Sequence, residues 1–171
     1  MTTLEAARWS QTLDLPGFRT LLGAPVLLLP RLRDDASLDE DYRTTARHQL
    51  IDAETEVAID LSGQVLPLVR SEQNPYSSKL AVGRTKNCDL RIDHNSISRL
   101  HALLLLGDGG TVRIVDAGSS NGTRVNGNAV GKEGMPLSFG DVVTFGSVPT
   151  QFVSEDLLYQ ALRNLRPLEH K

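Results

Sequence analysis

Between Gly83 and Gly127 the chain is built of short apolar alternations separated by tight turns, and that rhythm limits it to an all-β arrangement. Leu80-Ala81-Val82 leads into Gly83-Arg84, Leu90-Arg91-Ile92 alternates, His101 to Leu106 is an apolar run, and Val112 and Ile114 flank Arg113. Gly107-Asp108-Gly109-Gly110 reads as a hairpin loop, while Asn121-Gly122 and Asn126-Gly127 tolerate positive φ. Eleven of the fourteen glycines follow Val82, so the tight-turn architecture belongs to the second half of the chain. The pattern predicts an antiparallel β-sandwich with its working loops at one end.

Arg84, Ser98, Arg99, Ser120 and Asn121 all fall at strand ends or in turns, where a rigid scaffold presents side chains instead of burying them. Guanidinium forks, hydroxyls, an amide and glycine-rich backbone suit an oxyanion. From Lys79 to His101 there are five Lys or Arg against two Asp, although the whole chain carries a net charge of −3. A locally positive ligand end on an acidic chain fits a phosphate group and gives no reason to expect nucleic acid or an anionic membrane.

The ordered series Gly83-Arg84, Ser98-Arg99-Leu100-His101, Ser119-Ser120-Asn121-Gly122-Thr123 and Val125-Asn126-Gly127 resembles the forkhead-associated (FHA) domain, over roughly Leu61 to Val153. The resemblance implies an FHA/SMAD-like antiparallel sandwich that binds phosphothreonine peptides through its loops. It further implies that Arg84 holds the phosphate, that Ser98 donates its hydroxyl to it, and that Ser120 and Asn121 contact the phosphate region and the peptide backbone. Arg99 lies where side chains tune peptide choice, and His101 matches a structural histidine that braces the loop of Ser98. The expected function is a phosphopeptide-binding adaptor in signal transduction; the alternative is a phospho-independent interaction module using the N-terminal extension and the C-terminal helix.

The segment 1–60 is expected to be a partly ordered extension. Thr2 and Glu5 form a capping box for a short helix running to about Leu13, with Pro16 ending it. Pro25 to Pro30 reads as a short buried strand or a packing arm, and Asp34, Asp35, Asp39, Glu40 and Asp41 make an acidic loop. Thr44 and Thr45 follow this loop directly, so a phosphothreonine there is a candidate ligand for the chain's own pocket. Within 61–153 the first sandwich strand is placed at Gln64 to Arg70, with Pro67 suggesting an edge. In 154–167 the period changes to 3.6: Ser154 caps, Glu155 and Asp156 open the helix, Arg163 and Arg166 close it, and Pro167 stops it.

Several other classes lose support. Ser98, His101 and Asp116 are the residue types of a hydrolase triad, but the strand-turn-helix setting of a nucleophile elbow is missing, so no enzyme is expected. No glycine-lysine phosphate loop and no Cys/His cluster appears, so neither cofactor nor metal is expected. The single Cys88 makes no internal disulfide, and Met1 to Glu5 shows no basic region ahead of an apolar run, so a cytoplasmic location is expected.

Overall fold

The structure, a computed structural model, describes residues 1–29, 48–52, 55–59, 63–72, 74 and 78–164. The acidic stretch Asp34 to Asp41, Thr44, Thr45 and Pro167 lie outside the described residues. Two helices open the chain: α1 (Thr3–Thr12) and α2 (Leu15–Leu22). Among the described residues thirteen strands follow: β1 (Val26–Leu29), β2 (His48–Asp52), β3 (Thr55–Ile59), β4 (Gln64–Pro67), β5 (Lys79–Gly83), β6 (Leu90–Arg91), β7 (Ala102–Leu106), β8 (Val112–Asp116), β9 (Thr123–Val125), β10 (Asn128–Ala129), β11 (Met135–Leu137), β12 (Val142–Phe145) and β13 (Val148–Val153). Helix α3 (Glu155–Arg163) comes last.

The strands form a six-stranded sheet in the order β10-β9-β12-β13-β1-β4 and a five-stranded sheet in the order β11-β8-β7-β5-β6. All pairings are antiparallel except β5 with β6. Strands β2 and β3 make a separate antiparallel hairpin. Leu27, Val143, Phe145 and Phe152 from the first sheet and Leu80, Val82, Leu104 and Ile114 from the second meet in one core. The loop read from Gly107 to Gly110 is a short 3₁₀ turn joining β7 to β8, as hairpin chemistry requires.

The N-terminal segment contributes more than an arm. Strand β1 lies inside the six-stranded sheet, pairing β13 on one side and β4 on the other. Its side chains alternate: Leu27 and Leu29 enter the sandwich core, whereas Val26 and Leu28 enter a second core on the opposite face. A strand buried on both faces needs an unbroken apolar run, which Val26-Leu27-Leu28-Leu29 supplies. Pro67 ends edge strand β4, where a residue without an N–H costs no ladder bond; outside it the backbone N–H of Val65 donates to the carbonyl of Met1 at 3.0 Å.

That second core joins the helices to the sheet. Ala6 of α1, Phe18 and Leu22 of α2, and Leu158, Ala161 and Leu162 of α3 pack together with Val65 and Val153. Burying each of the two α3 leucines contributes about 1.5–3 kcal/mol, enough to account for where the apolar face goes. Thr2 caps α1 through the full capping box with Glu5, and Leu13 closes it. Pro16 does not end this helix by itself; it sits in the first turn of α2, where its missing N–H has no intrahelical partner to lose. Asp14 caps that turn through Gly17, and Gly23 ends α2 in the left-handed region at φ 71. Arg19 and Asp156 form a bidentate pair across the surface between α2 and α3, and the hydroxyl of Tyr159 donates to the carbonyl of Leu13 at 3.0 Å. No helix among the described residues is long and apolar enough to cross a membrane.

Candidate phosphate-binding site

The site begins where β5 ends. A Cβ on Gly83 would lie 2.3 Å from the carbonyl oxygen of Arg99 and 2.8 Å from Sγ of Cys88, so only glycine lets the two loops meet. Across that contact the backbone N–H of Arg84 donates to the carbonyl of Ser98 at 3.0 Å, and the next N–H, of Thr85, reaches the carbonyl of Arg99 at 3.5 Å. The hydroxyl of Thr85 donates to the same carbonyl at 3.1 Å. Nε of Arg91 donates to the carbonyl of Arg84 at 3.2 Å, which holds the backbone of Arg84 on its far side as well. The guanidinium groups of Arg84 and Arg99 are exposed, and neither makes a hydrogen bond or ion pair with another described residue.

His101 fixes the loop that carries Ser98. Its ring is fully buried, Nδ1 accepts the backbone N–H of Ser98 at 3.1 Å, and Nε2 lies 3.1 Å from the carbonyl of Gly122. Since Nδ1 accepts, the ring proton sits on Nε2 and is donated to Gly122, so one neutral imidazole ties two loops together. Burial is the largest influence on the ring and pushes its pKa down, against the Gly122 bond and the charge of Asp116, which favour protonation.

A pH dependence follows. The unfolded chain has an ordinary histidine pKa near about 6.5, so below that pH it binds more protons than the folded state. Stability from the neutral ring is complete above that value and declines as pH falls toward the lowered folded pKa. Thermal melts taken from about pH 7.5 to about pH 5 should show a fall in Tm whose slope is reduced in a His101→Gln variant; equal slopes would contradict this role.

Asp116, at the end of β8, organises the second loop. Its carboxylate accepts from the N–H of Gly118 and of Ser119, both at 2.9 Å, from the Ser119 hydroxyl at 2.7 Å and from the Thr123 hydroxyl at 2.6 Å. Burial alone would raise its pKa, but these donors outweigh it and hold the carboxyl below the ordinary range. The three residue types of a triad are therefore neighbours with other duties: both ring nitrogens of His101 are committed to backbone groups, and Asp116 holds its own loop.

Held this way, the loops enclose an open depression of about 880 Å³. Arg84, Ser98, Arg99 and Ser120 all line it, with Ala81 and Leu100 among its apolar residues. Oγ of Ser98 accepts the backbone N–H of Ser120 at 3.0 Å, and its own hydroxyl donates to Oγ of Ser120 at 3.5 Å, at the limit of a hydrogen bond. The Ser98 proton therefore has no strong internal acceptor and can be given to a ligand. Asn121 does not line the depression; its amide donates to the carbonyl of Ser96 at 2.7 Å.

Ser96 is a hub that sequence reasoning missed. Its hydroxyl oxygen lies 2.8 Å from Nδ1 of His94 and receives the N–H and hydroxyl of Ser147 at 3.1 and 2.9 Å. Asn121 is thus braced from the β12–β13 turn, a partner more than twenty residues away for which no local signal exists. Among the described residues no group of three or more His, Cys, Asp or Glu is placed to hold a metal ion.

Residues 80–146 match the FHA domain family model. The chain contains an FHA domain. Among solved structures it is similar to an FHA domain from a study of phosphothreonine-dependent FHA interactions, at 22% identity and TM-score 0.48 over 76% of this chain and 95% of that one. It is similar to the FHA domain of the CT664 protein of Chlamydia trachomatis, at 31% identity and TM-score 0.42 over 47% of this chain and 80% of that one. A third similarity is to the N-terminal FHA domain of Rad53p of S. cerevisiae in complex with a phosphothreonine peptide, at 25% identity and TM-score 0.45 over 56% of this chain and 88% of that one. No curated protein shows significant similarity to the chain.

Proposed function

We propose that this chain is a phosphopeptide-binding adaptor whose FHA domain recognises phosphothreonine in a partner protein. The observation that carries this reading is the convergence of two guanidiniums, neither bonded to another described residue, with the Ser98 and Ser120 hydroxyls in one open depression of an FHA domain. Arg84 takes the phosphate through its planar fork, Ser98 gives it the proton that its hydroxyl otherwise donates to Oγ of Ser120 at 3.5 Å, and Ser120 adds a donor beside it. Asn121, outside the depression, is placed to meet the peptide backbone at its rim. The domain acts by binding and performs no catalysis.

The energetics make the module switchable. A threonine hydroxyl offers these donors one neutral group, whereas a phosphate brings close to two negative charges and three acceptor oxygens. Charge-assisted bonds of about 1.5–3 kcal/mol each separate negligible binding from a reversible micromolar complex, which corresponds to roughly 8 kcal/mol in all. The apolar lining of Ala81 and Leu100 is the wall available to the threonine methyl, whose burial contributes about 1 kcal/mol over phosphoserine. Burial of the α3 apolar face against α1 and α2 weighs against the helix as a phospho-independent binding surface.

Titrating a degenerate phosphothreonine peptide library into the full chain, beside phosphoserine and unphosphorylated controls, tests the reading. Micromolar binding that requires the phosphate supports it. Equal binding of phosphorylated and unphosphorylated peptides would sink it.

A further inference from the structure

Ser96 joins three loops, and its hydrogen bonds leave His94 only one charge state. The backbone N–H of Ser96 donates to Nδ1 of His94 at 3.2 Å, so that nitrogen carries no proton. The Ser96 hydroxyl oxygen, 2.8 Å from the same nitrogen, receives the backbone N–H and the hydroxyl of Ser147 at 3.1 and 2.9 Å. With both of its lone pairs occupied, its own proton goes to Nδ1. The β12–β13 turn is held hard against this group: a Cβ on Gly146 would lie 2.5 Å from the Ser96 carbonyl oxygen and 2.9 Å from the hydroxyl. The same turn donates the Gly146 N–H to the carbonyl of Gly122 at 2.9 Å, while the Ser96 carbonyl accepts the Asn121 amide at 2.7 Å. Ser98 lies two residues on, so one cluster braces the loops of Ser98 and Asn121 together.

A charged His94 is incompatible with that arrangement. A hydrogen on Nδ1 would meet the Ser96 N–H donor to donor, and the Ser96 hydroxyl could accept from the ring only by giving up a bond from Ser147. Imidazole is the side chain whose charge changes between about pH 5 and about pH 8. The charged residues flanking it, Arg91 and Asp93, pair with each other. The turn of Gly146 and Ser147 and the loop from Gly118 to Gly122 carry no ionisable side chain. Of the other charged or titratable groups on the joined loops, Arg84 and Arg99 line the depression, and His101 and Asp116 are bonded to loop backbone. We infer that His94 is a positioning residue for the phosphopeptide site: its neutral ring latches Ser96 to the Ser147 turn and so holds Asn121, and its protonation releases the latch and weakens peptide binding. This rests on the phosphothreonine reading proposed above and adds control of that site by pH. Binding that needs the neutral ring falls as pH falls, and bound peptide in turn opposes protonation of the ring.

The test titrates a phosphothreonine peptide into the full chain and into a His94→Asn variant at about pH 7.5 and about pH 5.5. The asparagine amide offers an acceptor oxygen near the place of Nδ1 and takes up no proton. Titration of the peptide phosphate and of His101 is common to both proteins and cancels in their ratio. At the higher pH the two should bind within about twofold of each other, and at the lower pH the wild type should bind roughly fivefold more weakly than the variant, the measure of one hydrogen bond. In the peptide-free wild type, the side-chain amide signals of Asn121 in NMR spectra should shift with the same midpoint as the His94 ring, a readout that needs no variant. A wild-type-to-variant ratio unchanged by pH overturns the inference while leaving phosphothreonine binding intact. A His94 ring that stays neutral at the lower pH, or Asn121 signals indifferent to its titration, overturns it too. Absence of phosphothreonine binding by the wild type at the higher pH would instead overturn the parent reading, and this inference with it.

Discussion

An Arg84→Ala chain is expected to lose phosphothreonine-peptide affinity by about 100-fold or more, the consequence of removing one bidentate charge-assisted pair worth about 3 kcal/mol. The same substitution should leave stability within about 0.5 kcal/mol, because the exposed guanidinium makes no bond within the described chain. What ties residue 84 to the fold is its backbone: the N–H bonded to Ser98 and the carbonyl that accepts from Arg91 both survive truncation of the side chain. Calorimetric titration against a binding phosphopeptide, paired with a thermal melt, separates the two effects. A structural arginine would give the reverse pattern, a lower Tm with peptide affinity unchanged, and would rule out Arg84 as the main phosphate ligand.

Gly83→Ala should produce the largest loss of stability among small substitutions around the site. The new methyl group would sit 2.3 Å from a backbone carbonyl, and that oxygen is held by the Thr85 hydroxyl and the Cys88 thiol. Backbone cannot rotate away as a flexible side chain would, so the Arg84 and Arg99 loops must part. Forced overpacking costs about 1–3 kcal/mol, and the upper end applies here, which corresponds to a Tm lower by roughly 6–12 °C for a chain of this size. Peptide binding should weaken as well, since the ladder that sets Arg84 beside Ser98 runs through this contact. A melt within about 1 °C of the wild type would show that the two loops do not touch as described.

Much of this protein was legible from residue order because it depends on local chemistry. Alternation of apolar and polar residues selects strands, Gly-rich tetrads select turns, and Ser154 followed by Glu155 and Asp156 starts a helix wherever it stands. The FHA domain was legible for a related reason: the site is presented by turns, and turns require particular residue types at fixed spacing. Helix α2 is legible in principle, from Asp14 as cap, Pro16 in the first turn and Gly23 past the end, but proline marks both ends of helices, so Pro16 reads equally as a stop for α1.

Tertiary structure alone decided where these pieces meet. Nothing in Val26 to Leu29 says that the strand inserts between β13 and β4, since an apolar run is equally consistent with any doubly buried position. Asp116, read as one of the residue types of a triad, is the acceptor for its own loop, while Asn121, which the resemblance places with Ser120 at the phosphate region and the peptide backbone, donates its amide to the carbonyl of Ser96. Residue types and spacing determined which groups could bind an anion; packing of distant loops through Gly83, His101 and Ser96 decided which of them share a site, because those contacts join residues with no relation in sequence.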